Sequence, residues 1–446
     1  MKVNLFRKQG YREDTMNLSK VRIAIFVCLM LLLCACAGKP PNSSELTDKP
    51  VPESGSPIEQ RIKLTLMIAS TEDTNAKLEE ELVSKHFADK YDITFKIWEA
   101  AHAEREIKTS VASGEALDLV MYWPGEMKNL VNGNLALDLT PYLEANNGEW
   151  KSSFLDGALN TGTYNGKVYA VPNTPVYPVL EVNKDILDQV GVDLPDGPIS
   201  WDEFKNILSI IKEKAGIAPL GLQKDWASWT VRELFYSVWP DEQKLLAWSK
   251  GQIPFTDPTI VNVFNEVKEL YDKEYVYPGK GALTTTLDQV NTAFQSGRIA
   301  IKADLNSLAK QSIKGSGLRN IEIISWPHMG TRTKVLGGYN GYMIPINAKH
   351  PEASVEVLKY LTSAEVLQHR VNSGVPVMVK GVTVDDPNFA EYSKDIGKIY
   401  KEQEILSLSP SIADYMGNNM PANFLFYGMD SLKELDQLRQ EAIQHD

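Results

Sequence analysis

Cysteine is scarce in this sequence and is confined to its beginning. The 446 residues contain three cysteines, Cys28, Cys34 and Cys36, and none follows residue 36. A disulfide framework is therefore excluded for the rest of the chain, and no cysteine nucleophile is available there. Histidine is also rare, with six residues at positions 86, 102, 328, 350, 369 and 445, which lack the spacing of a metal site.

Long hydrophobic runs are missing as well, apart from one near the start of the chain. Lys20 and Arg22 precede the run "IAIFVCLMLLLCACAG", which is apolar until its small-residue end. A membrane-spanning helix needs about 20 apolar residues, more than this run supplies. A basic start, a short apolar middle and a small-residue end are typical of a signal peptide, so we expect residues 1–35 to be one.

The end of this run, Leu-Cys-Ala-Cys at residues 33–36, resembles a bacterial lipobox. The resemblance implies cleavage before Cys36 and lipid attached to its thiol; an uncleaved N-terminal anchor is the alternative. Both would hold the protein at the cell membrane, facing the extracellular or periplasmic side. Met16 lies the usual signal length before Cys36, so a start at Met1 or at Met16 stays open. Residues 36–60 are rich in Pro, Ser and Glu and predict a flexible tether.

Positive charge is the next shortage. With 46 Lys and Arg against 58 Asp and Glu, the formal net charge is −12 at pH 7. Residues 1–35 hold six basic and two acidic side chains, so their removal would take the net charge to −16. Such a chain is a poor partner for nucleic acid or for an anionic membrane surface, because it cannot neutralise phosphates. Its length and its hydrophobic content of 43% favour a globular protein of two domains.

Sequence motifs of catalysis are absent too. The chain has no G-x-S-x-G, no H-E-x-x-H and no Walker loop. The stretch "GSGLRN" at residues 315–320 lacks the third glycine of a dinucleotide fingerprint. We therefore expect no enzyme, no cofactor and no metal site. Acidic residues are plentiful, so composition alone does not exclude a pair of glycosidase carboxylates.

What the chain does have is a regular alternation of strand and helix patterns from Ile62 onward. "IKLTLMIAS", "ITFKIWE" and "DLVMYW" indicate buried strands, and residues 73–90 and 104–113 between them indicate amphipathic helices. This order predicts parallel βαβ units. The stretch "AVPNTPVYPVLEV" contains three prolines, which do not fit a central strand, and predicts an extended crossover between two globular halves. Ser200 and Glu203 predict the capped start of a helix.

Several motifs resemble those of one known family, in the same order and over most of residues 61–380. They are "SVASGEALDLVMYW", "LALDLTPYLE", "GKVYAVPNTPVYPVLEVNKD", "FQSGRIAIKADLNSLAK" and "GGYNGYMIPINAKHPEASVEVLKYLTSAEVLQ". The chain resembles the family 1 extracellular solute-binding proteins of ABC importers, which include maltose- and multi-sugar-binding proteins. The resemblance implies an α/β, two-lobe fold of the periplasmic-binding-protein type (type II), with a hinge and an interlobe ligand cleft. It also implies a monomer that delivers its solute to the permease subunits of an ABC transporter.

The resemblance also implies where the lobes divide. Residues 61–173 plus 335–371 are expected to form the first lobe, and residues 174–334 plus 372–446 the second. Closure of such lobes around a ligand by a hinge is a recognised switching mode.

Sugars have apolar C–H faces and hydroxyl edges, so aromatic rings beside short polar side chains are the residues to look for. Trp123 is such a ring, because a strand ends there and Pro-Gly follows. Glu126 lies where sugar-binding relatives place an acidic contact. Trp226 is the expected partner of Trp123 on the opposite lobe, with a sugar between them. Packing beneath the loop is the alternative for Trp123.

The other expected contacts lie at similar strand ends and crossings. Trp229 begins the next helix pattern and is interpreted as a core residue. For Tyr339 and Asn340, a simple glycine-rich turn is the alternative. The full set of expected ligand contacts is Thr71, Glu72, Trp123, Glu126, Tyr177, Lys224, Asp225, Trp226, Asp304, Asn306, Tyr339 and Asn340.

These observations favour a lipid-anchored receptor that captures a carbohydrate, either a mono- or an oligosaccharide, for an ABC permease. One alternative keeps the receptor role for another polar solute, such as a polyol phosphate. The other is a lipoprotein that senses or adheres and takes no part in transport. An anionic solute would need Arg or Lys in the cleft, and Lys224 is the evident candidate.

Overall fold

Two separate β-sheets form the centre of the structure, which is a computed structural model. It describes residues 61–70, 73–99, 102–115, 117–331, 334–385, 395–400, 415 and 420–444. The predicted signal peptide, the lipobox with Cys36 and the tether lie outside the described residues, as do Thr71 and Glu72. Within the described part, no helix combines the length and apolarity needed to cross a bilayer.

The strands and helices follow the predicted alternation in the first third of the chain and then become mainly helical. The strands are β1 Ile62–Ala69, β2 Tyr91–Ile97, β3 Leu119–Tyr122, β4 Thr163–Tyr164, β5 Lys167–Val168, β6 Ala170–Val176, β7 Pro178–Asn183, β8 Leu220–Gly221, β9 Ile301–Leu305, β10 Ile321–Ser325, β11 Val335–Leu336, β12 Gly338–Met343 and β13 Ile399–Tyr400. The helices are α1 Thr74–His86, α2 Ala103–Ser113, α3 Lys128–Asn132, α4 Thr140–Ser153, α5 Lys184–Val190, α6 Trp201–Ala215, α7 Ala227–Phe235, α8 Glu242–Ser249, α9 Pro258–Asp272, α10 Leu287–Gln295, α11 Ala309–Ser316, α12 Pro351–Leu361, α13 Ala364–Asn372, α14 Ala422–Tyr427 and α15 Met429–Gln444.

The first sheet has five strands in the order β2-β1-β3-β12-β6. Strand β1 lies between β2 and β3 and is parallel to both, as the alternating pattern predicts. Strand β12 comes from much later in the chain and is antiparallel to β3 and β6. Leu66 and Leu119 from this sheet pack with Val357 and Leu367 of the later helices in one buried cluster. Residues far apart in sequence therefore share the first core.

The second sheet has four strands in the order β10-β7-β9-β8. Its larger core contains Phe204, Phe235, Trp248 and Phe264 from the surrounding helices. Helix α6 shows why a local signal suffices for some of these elements. The Ser200 hydroxyl accepts a hydrogen bond from the Glu203 N–H, and the Glu203 carboxylate accepts one from the Ser200 N–H, which is the predicted capping box.

The chain first passes between the sheets in the proline-rich stretch. Pro172 and Pro175 lie in β6, which is an edge strand of the first sheet, and Pro178 is the first residue of β7. Proline lacks a backbone donor, so an edge strand and a strand start are the positions that tolerate it. Tyr177 stands between β6 and β7, at the crossing itself.

The packing moves the boundaries that were predicted for the two lobes. Val335 and Leu336 were placed in the first lobe, but they pack with residues of the second sheet, and the first sheet begins again at Gly338. Residues 372–446 were placed in the second lobe. Met378 nevertheless packs in the first core, because its N–H donates to the Asn173 carbonyl at 2.8 Å and its carbonyl accepts from the Leu155 N–H at 2.9 Å.

Candidate functional site

A cavity lies between the two sheets, where the chain crosses from one to the other. Its volume is about 210 Å³ and it opens to solvent, so it is smaller than the range of about 300–1,000 Å³ that is usual for a small-molecule site. The cavity is lined by Trp123, Gly125, Glu126, Val176, Tyr177, Pro178, Trp229, Arg232, Leu305, Leu336, Gly337, Gly338, Tyr339, Asn340 and Ile399.

On the side of the first sheet, the wall is the loop that follows β3. Trp123 has an extended backbone and precedes a single 3₁₀ turn, Pro124–Glu126. The Tyr164 hydroxyl donates to the Gly125 carbonyl at 2.6 Å and accepts from the Met127 N–H at 3.1 Å, so it holds the loop in place. Burial raises the pKa of Tyr164 to about 12, which keeps its hydroxyl protonated and able to donate.

Trp123 is half-buried and is anchored by other aromatic rings. Its ring meets Trp98 edge to face, with centroids 5.3 Å apart, and Tyr122 at 5.5 Å. Aromatic rings prefer such edge-to-face arrangements. Trp123 therefore packs beneath the loop and also lines the cavity. The two interpretations of this residue, a core residue and a residue that faces the ligand site, both describe part of its position.

On the side of the second sheet, the wall comes from the first turns of α7. Trp229 and Arg232 both line the cavity. Trp226 does not; its ring stacks on Trp229, with centroids 5.3 Å apart and an interplanar angle of 10°. Residues three apart lie on one face of a helix, so Trp229 and Arg232 reach the cavity together. Trp226, just before the helix begins at Ala227, supports Trp229 instead.

The floor of the cavity is the crossing backbone. Tyr177 is fully buried there. Its N–H donates to Asn306 Oδ1 at 2.9 Å, and its carbonyl accepts from the Asn306 N–H at 3.0 Å. Asn306 Nδ2 also donates to the Pro175 carbonyl at 3.3 Å. Asn306 thus fixes the crossover strand and does not itself line the cavity.

A buried ionic network lies behind β12, close to the cavity residue Asn340 but outside the cavity lining. Arg370 donates through Nε to Glu79 Oε1 at 2.5 Å and through Nη1 to Asp73 Oδ2 at 3.2 Å. The Tyr342 hydroxyl donates to Glu79 Oε2 at 2.9 Å. Asp73 is the N-cap of α1, so the network ties the start of α1 to β12, two residues beyond Asn340.

The structure brings some of the predicted contacts together and separates others. Trp123, Glu126, Tyr177, Tyr339 and Asn340 line the cavity. The remaining described candidates lie elsewhere; they are Lys224, Trp226, Asp304 and Asn306. The side chain of Asp225 is outside the described residues, like Thr71 and Glu72.

Two of these predictions need a correction with a physical reason. The expected partner of Trp123 was Trp226, whereas the cavity is lined by Trp229, because the Trp226 ring is stacked against Trp229 and does not reach the cavity. Asp304 was expected to contact ligand, but it is buried in β9, where Lys302 Nζ lies 2.7 Å from its Oδ2. The Asp304 carboxylate therefore pairs with Lys302 inside the second lobe and does not face the cavity.

Among the cavity residues that the sequence did not indicate, two share a signal. Trp229 and Arg232 follow Trp226 at intervals of three, which is the spacing of one helix face. The other missed residues are all apolar or glycine and lie in strands, at strand ends or in the loops between them, namely Gly125, Val176, Pro178, Leu305, Leu336, Gly337, Gly338 and Ile399. Their place in the cavity depends on which strands become neighbours, and no local pattern contains that information.

The cavity combines aromatic walls with a few polar groups. Trp123 and Trp229 offer faces for apolar surface, and Glu126, Arg232 and Asn340 offer hydrogen-bonding groups of both kinds. Burial raises the pKa of Tyr339, so its hydroxyl is a protonated donor at neutral pH. Among the described residues, no group of His, Cys, Asp and Glu has an arrangement that could hold a metal ion.

Comparison with known proteins identifies the family of this chain. A family model described as "Bacterial extracellular solute-binding protein" matches residues 69–368, more than half of the chain. The chain belongs to this family. One of these solute-binding relatives, the arabinooligosaccharide-binding protein of Bacillus subtilis (strain 168), is 21% identical over 358 residues, which are 78% of this chain and 77% of that protein.

Solved structures show the same fold. One, from work on xylan utilization by Caldanaerobius polysaccharolyticus, matches with a TM-score of 0.72 and 21% identity, over 86% of this chain and all of that chain. A chitin oligosaccharide binding protein matches with a TM-score of 0.70 and 20% identity, over 86% of this chain and 99% of that one. The expected fold class is therefore confirmed: this solute-binding protein has the two-lobe α/β architecture.

Proposed function

We propose that this solute-binding protein captures a carbohydrate in the cavity between its two sheets and delivers it to an ABC importer. The observation that carries the proposal is a cavity with Trp123 on one wall and Trp229 on the other. Aromatic rings cover the apolar faces of sugar rings, while charged and amide side chains bind hydroxyls. Glu126, Arg232 and Asn340 supply such groups in the same cavity.

The ligand on this proposal is an oligosaccharide. The relative from Bacillus subtilis is named for arabinooligosaccharides, and one structural neighbour is a chitin oligosaccharide binding protein. The cavity is compatible with this choice, because it opens to solvent, so that the rest of an oligosaccharide can extend outward from a ring held between the walls.

The proposal includes the division of labour along the chain. The two sheets with their helices act as lobes that close on the ligand, by favouring a closed state that exists without it. The crossings at Tyr177 and at Gly337 serve as the hinge. Residues 1–35 act as a signal peptide, and a lipid on Cys36 holds the receptor at the outer face of the membrane through the tether of residues 36–60. The receptor works as a monomer.

Arg232 favours a second candidate within the same receptor role. The sequence offered Lys224 as the cation of the cleft, yet Lys224 does not line the cavity and Arg232 does. A guanidinium binds carboxylate and phosphate groups with paired hydrogen bonds. A ligand with one acidic group, such as a sugar acid or a polyol phosphate, is therefore the alternative to a neutral oligosaccharide.

Titration calorimetry and thermal melts with a defined panel test the proposal. The panel contains arabinotriose, xylotriose, chitotriose, raffinose, galacturonic acid and glycerol 3-phosphate. We expect at least one oligosaccharide to bind and to raise the melting temperature, since a ligand at 100 times its Kd adds about 2.7 kcal/mol to the stability of the folded state. Binding of glycerol 3-phosphate alone would replace the carbohydrate assignment with the acidic one.

A further inference from the structure

Gly338 is an unexpected residue for its position. It is the first residue of β12, paired with Val176 of β6, and it lines the cavity. Glycine is depleted in strands because it adds no packing surface and loses more backbone freedom than other residues. Its backbone here lies outside the left-handed region that favours glycine. The conformation of the chain therefore does not call for glycine at this position.

Packing does not call for it either, in contrast to the neighbouring glycines. A Cβ on Gly337 would lie 2.7 Å from the Val176 carbonyl oxygen, and a Cβ on Gly341 would lie 2.2 Å from the Val171 carbonyl oxygen. Both distances are too short for real atoms, so these two positions must be glycine. A Cβ on Gly338 would meet no described atom within 4 Å. The space beside Gly338 is open, and it belongs to the cavity.

We infer that Gly338 is a specificity-determining residue, whose missing side chain leaves room for a ring of the ligand against the crossover backbone. The inference rests on the proposed function and adds to it the place where the ligand lies. A glycine in a strand often marks a close approach of a ligand to the backbone. Any side chain at position 338 would stand in the space between the walls formed by Trp123 and Trp229, and would exclude a ligand that fills it.

A graded series of substitutions tests this. The sugar of the panel that binds wild type most tightly is titrated into Gly338→Ala and Gly338→Leu, with melting curves for each variant. We expect a loss of affinity between roughly fivefold and a hundredfold for alanine, as for a methyl group forced into a filled site, and no measurable binding for leucine. Without ligand, Gly338→Ala should melt no lower than wild type, because its Cβ enters open space and alanine loses less backbone freedom on folding than glycine does.

Gly315 provides the matched control. It is exposed in α11, its backbone also lies outside the left-handed region, and a Cβ at this position would meet no described atom within 4 Å. Gly315→Leu should keep the affinity of wild type. The inference falls if Gly338→Leu binds the sugar as wild type does. It also falls if Gly338→Ala melts far below wild type, since the open space for its Cβ would then not exist.

Thiol labelling gives a second and independent readout. No cysteine follows Cys36, so the peptide around residue 338 in Gly338→Cys carries one thiol, whose alkylation by iodoacetamide is followed by mass spectrometry. Gly338→Cys should be labelled without sugar, because its side chain enters open space as that of Gly315→Cys does, and saturating sugar should leave both rates unchanged, because a side chain at position 338 keeps the sugar out. Failure of Gly338→Cys to react without sugar, or slower labelling of it in the presence of sugar, would refute the inference. Failure of wild type to bind any sugar would instead refute the proposed function.

Discussion

At the scale of single residues, the cavity depends on aromatic side chains that line it and also pack against other aromatic rings. Trp123 packs on Trp98 and lines the cavity, and Trp229 is supported from behind by Trp226. The sequence indicated Trp123 because the ring follows a strand and precedes Pro-Gly. It did not indicate Trp229, since a tryptophan at the start of an amphipathic helix is more often part of the core.

The two tryptophans of α7 and its start can be told apart by truncation. Trp229→Ala should weaken binding of the tightest sugar at least about tenfold, because the loss of one stacking face is worth roughly 1.4 kcal/mol. Trp226→Ala should weaken it less, since its ring supports Trp229 without lining the cavity. Calorimetric titration of both variants measures the difference. A larger loss for Trp226→Ala would restore the arrangement expected from the sequence and contradict the one that the structure shows.

At the scale of elements, the second lobe is tied together by buried charge. Lys302 of β9 lies 2.7 Å from Asp304 Oδ2 and 3.2 Å from Glu181 Oε2 of β7, and all three side chains are buried. Its Nζ also contacts Asn291 of α10, at 3.3 Å, and the Ser312 hydroxyl of α11. Two carboxyl groups thus share one ammonium group, and a negative charge on one of them disfavours ionisation of the other.

Glu181 is the carboxyl group of the pair that holds its proton more strongly than usual. Burial raises the pKa of Glu181 well above its usual value, and the Asp304 carboxylate adds to the rise against the opposing effect of Lys302. Above about pH 4.5 the unfolded chain releases this proton while the folded protein keeps it, so the folded state loses stability as the pH rises toward the folded pKa. The loss is absent below the unfolded pKa, where both states are protonated.

Glu181→Gln should remove this loss, because glutamine mimics the protonated carboxyl at every pH. We expect urea unfolding of the variant to show a smaller fall in stability between pH 5 and pH 8 than wild type shows. Glu322→Gln, on the exposed side of the neighbouring strand β10, is the control and should keep the wild-type slope. An unchanged slope in Glu181→Gln would mean that Glu181 is ionised in the folded protein.

The elements also show what local sequence contains and what it does not. The capping box at Ser200 and the extended crossover at the three prolines were predicted correctly. Both depend on interactions within a few residues, namely a helix cap and a missing backbone donor. The insertion of β12 between β3 and β6 was not predictable in this way. This pairing joins residues that lie more than 150 positions apart. It also requires glycine at position 341, because β6 and Pro124 leave no space for a side chain at that point of β12.

At the scale of the whole molecule, the central feature is the cavity between the two sheets. The same crossings that connect the sheets form its floor, so the ligand would touch the hinge as well as both walls. A ligand that contacts both walls favours the closed form by its differential affinity, which is all that closure requires. The two-lobe architecture followed from the order of motifs, whereas the position of Met378 in the first core required the structure.

The most direct test is a crystal structure of wild type with the tightest-binding oligosaccharide. We predict a sugar ring between Trp123 and Trp229, seated against the backbone of Gly338, with Glu126 or Arg232 hydrogen-bonded to its hydroxyls. A sugar that contacts Trp226 and Lys224 and leaves Trp229 untouched, or one bound outside the space between the two sheets, would contradict this arrangement.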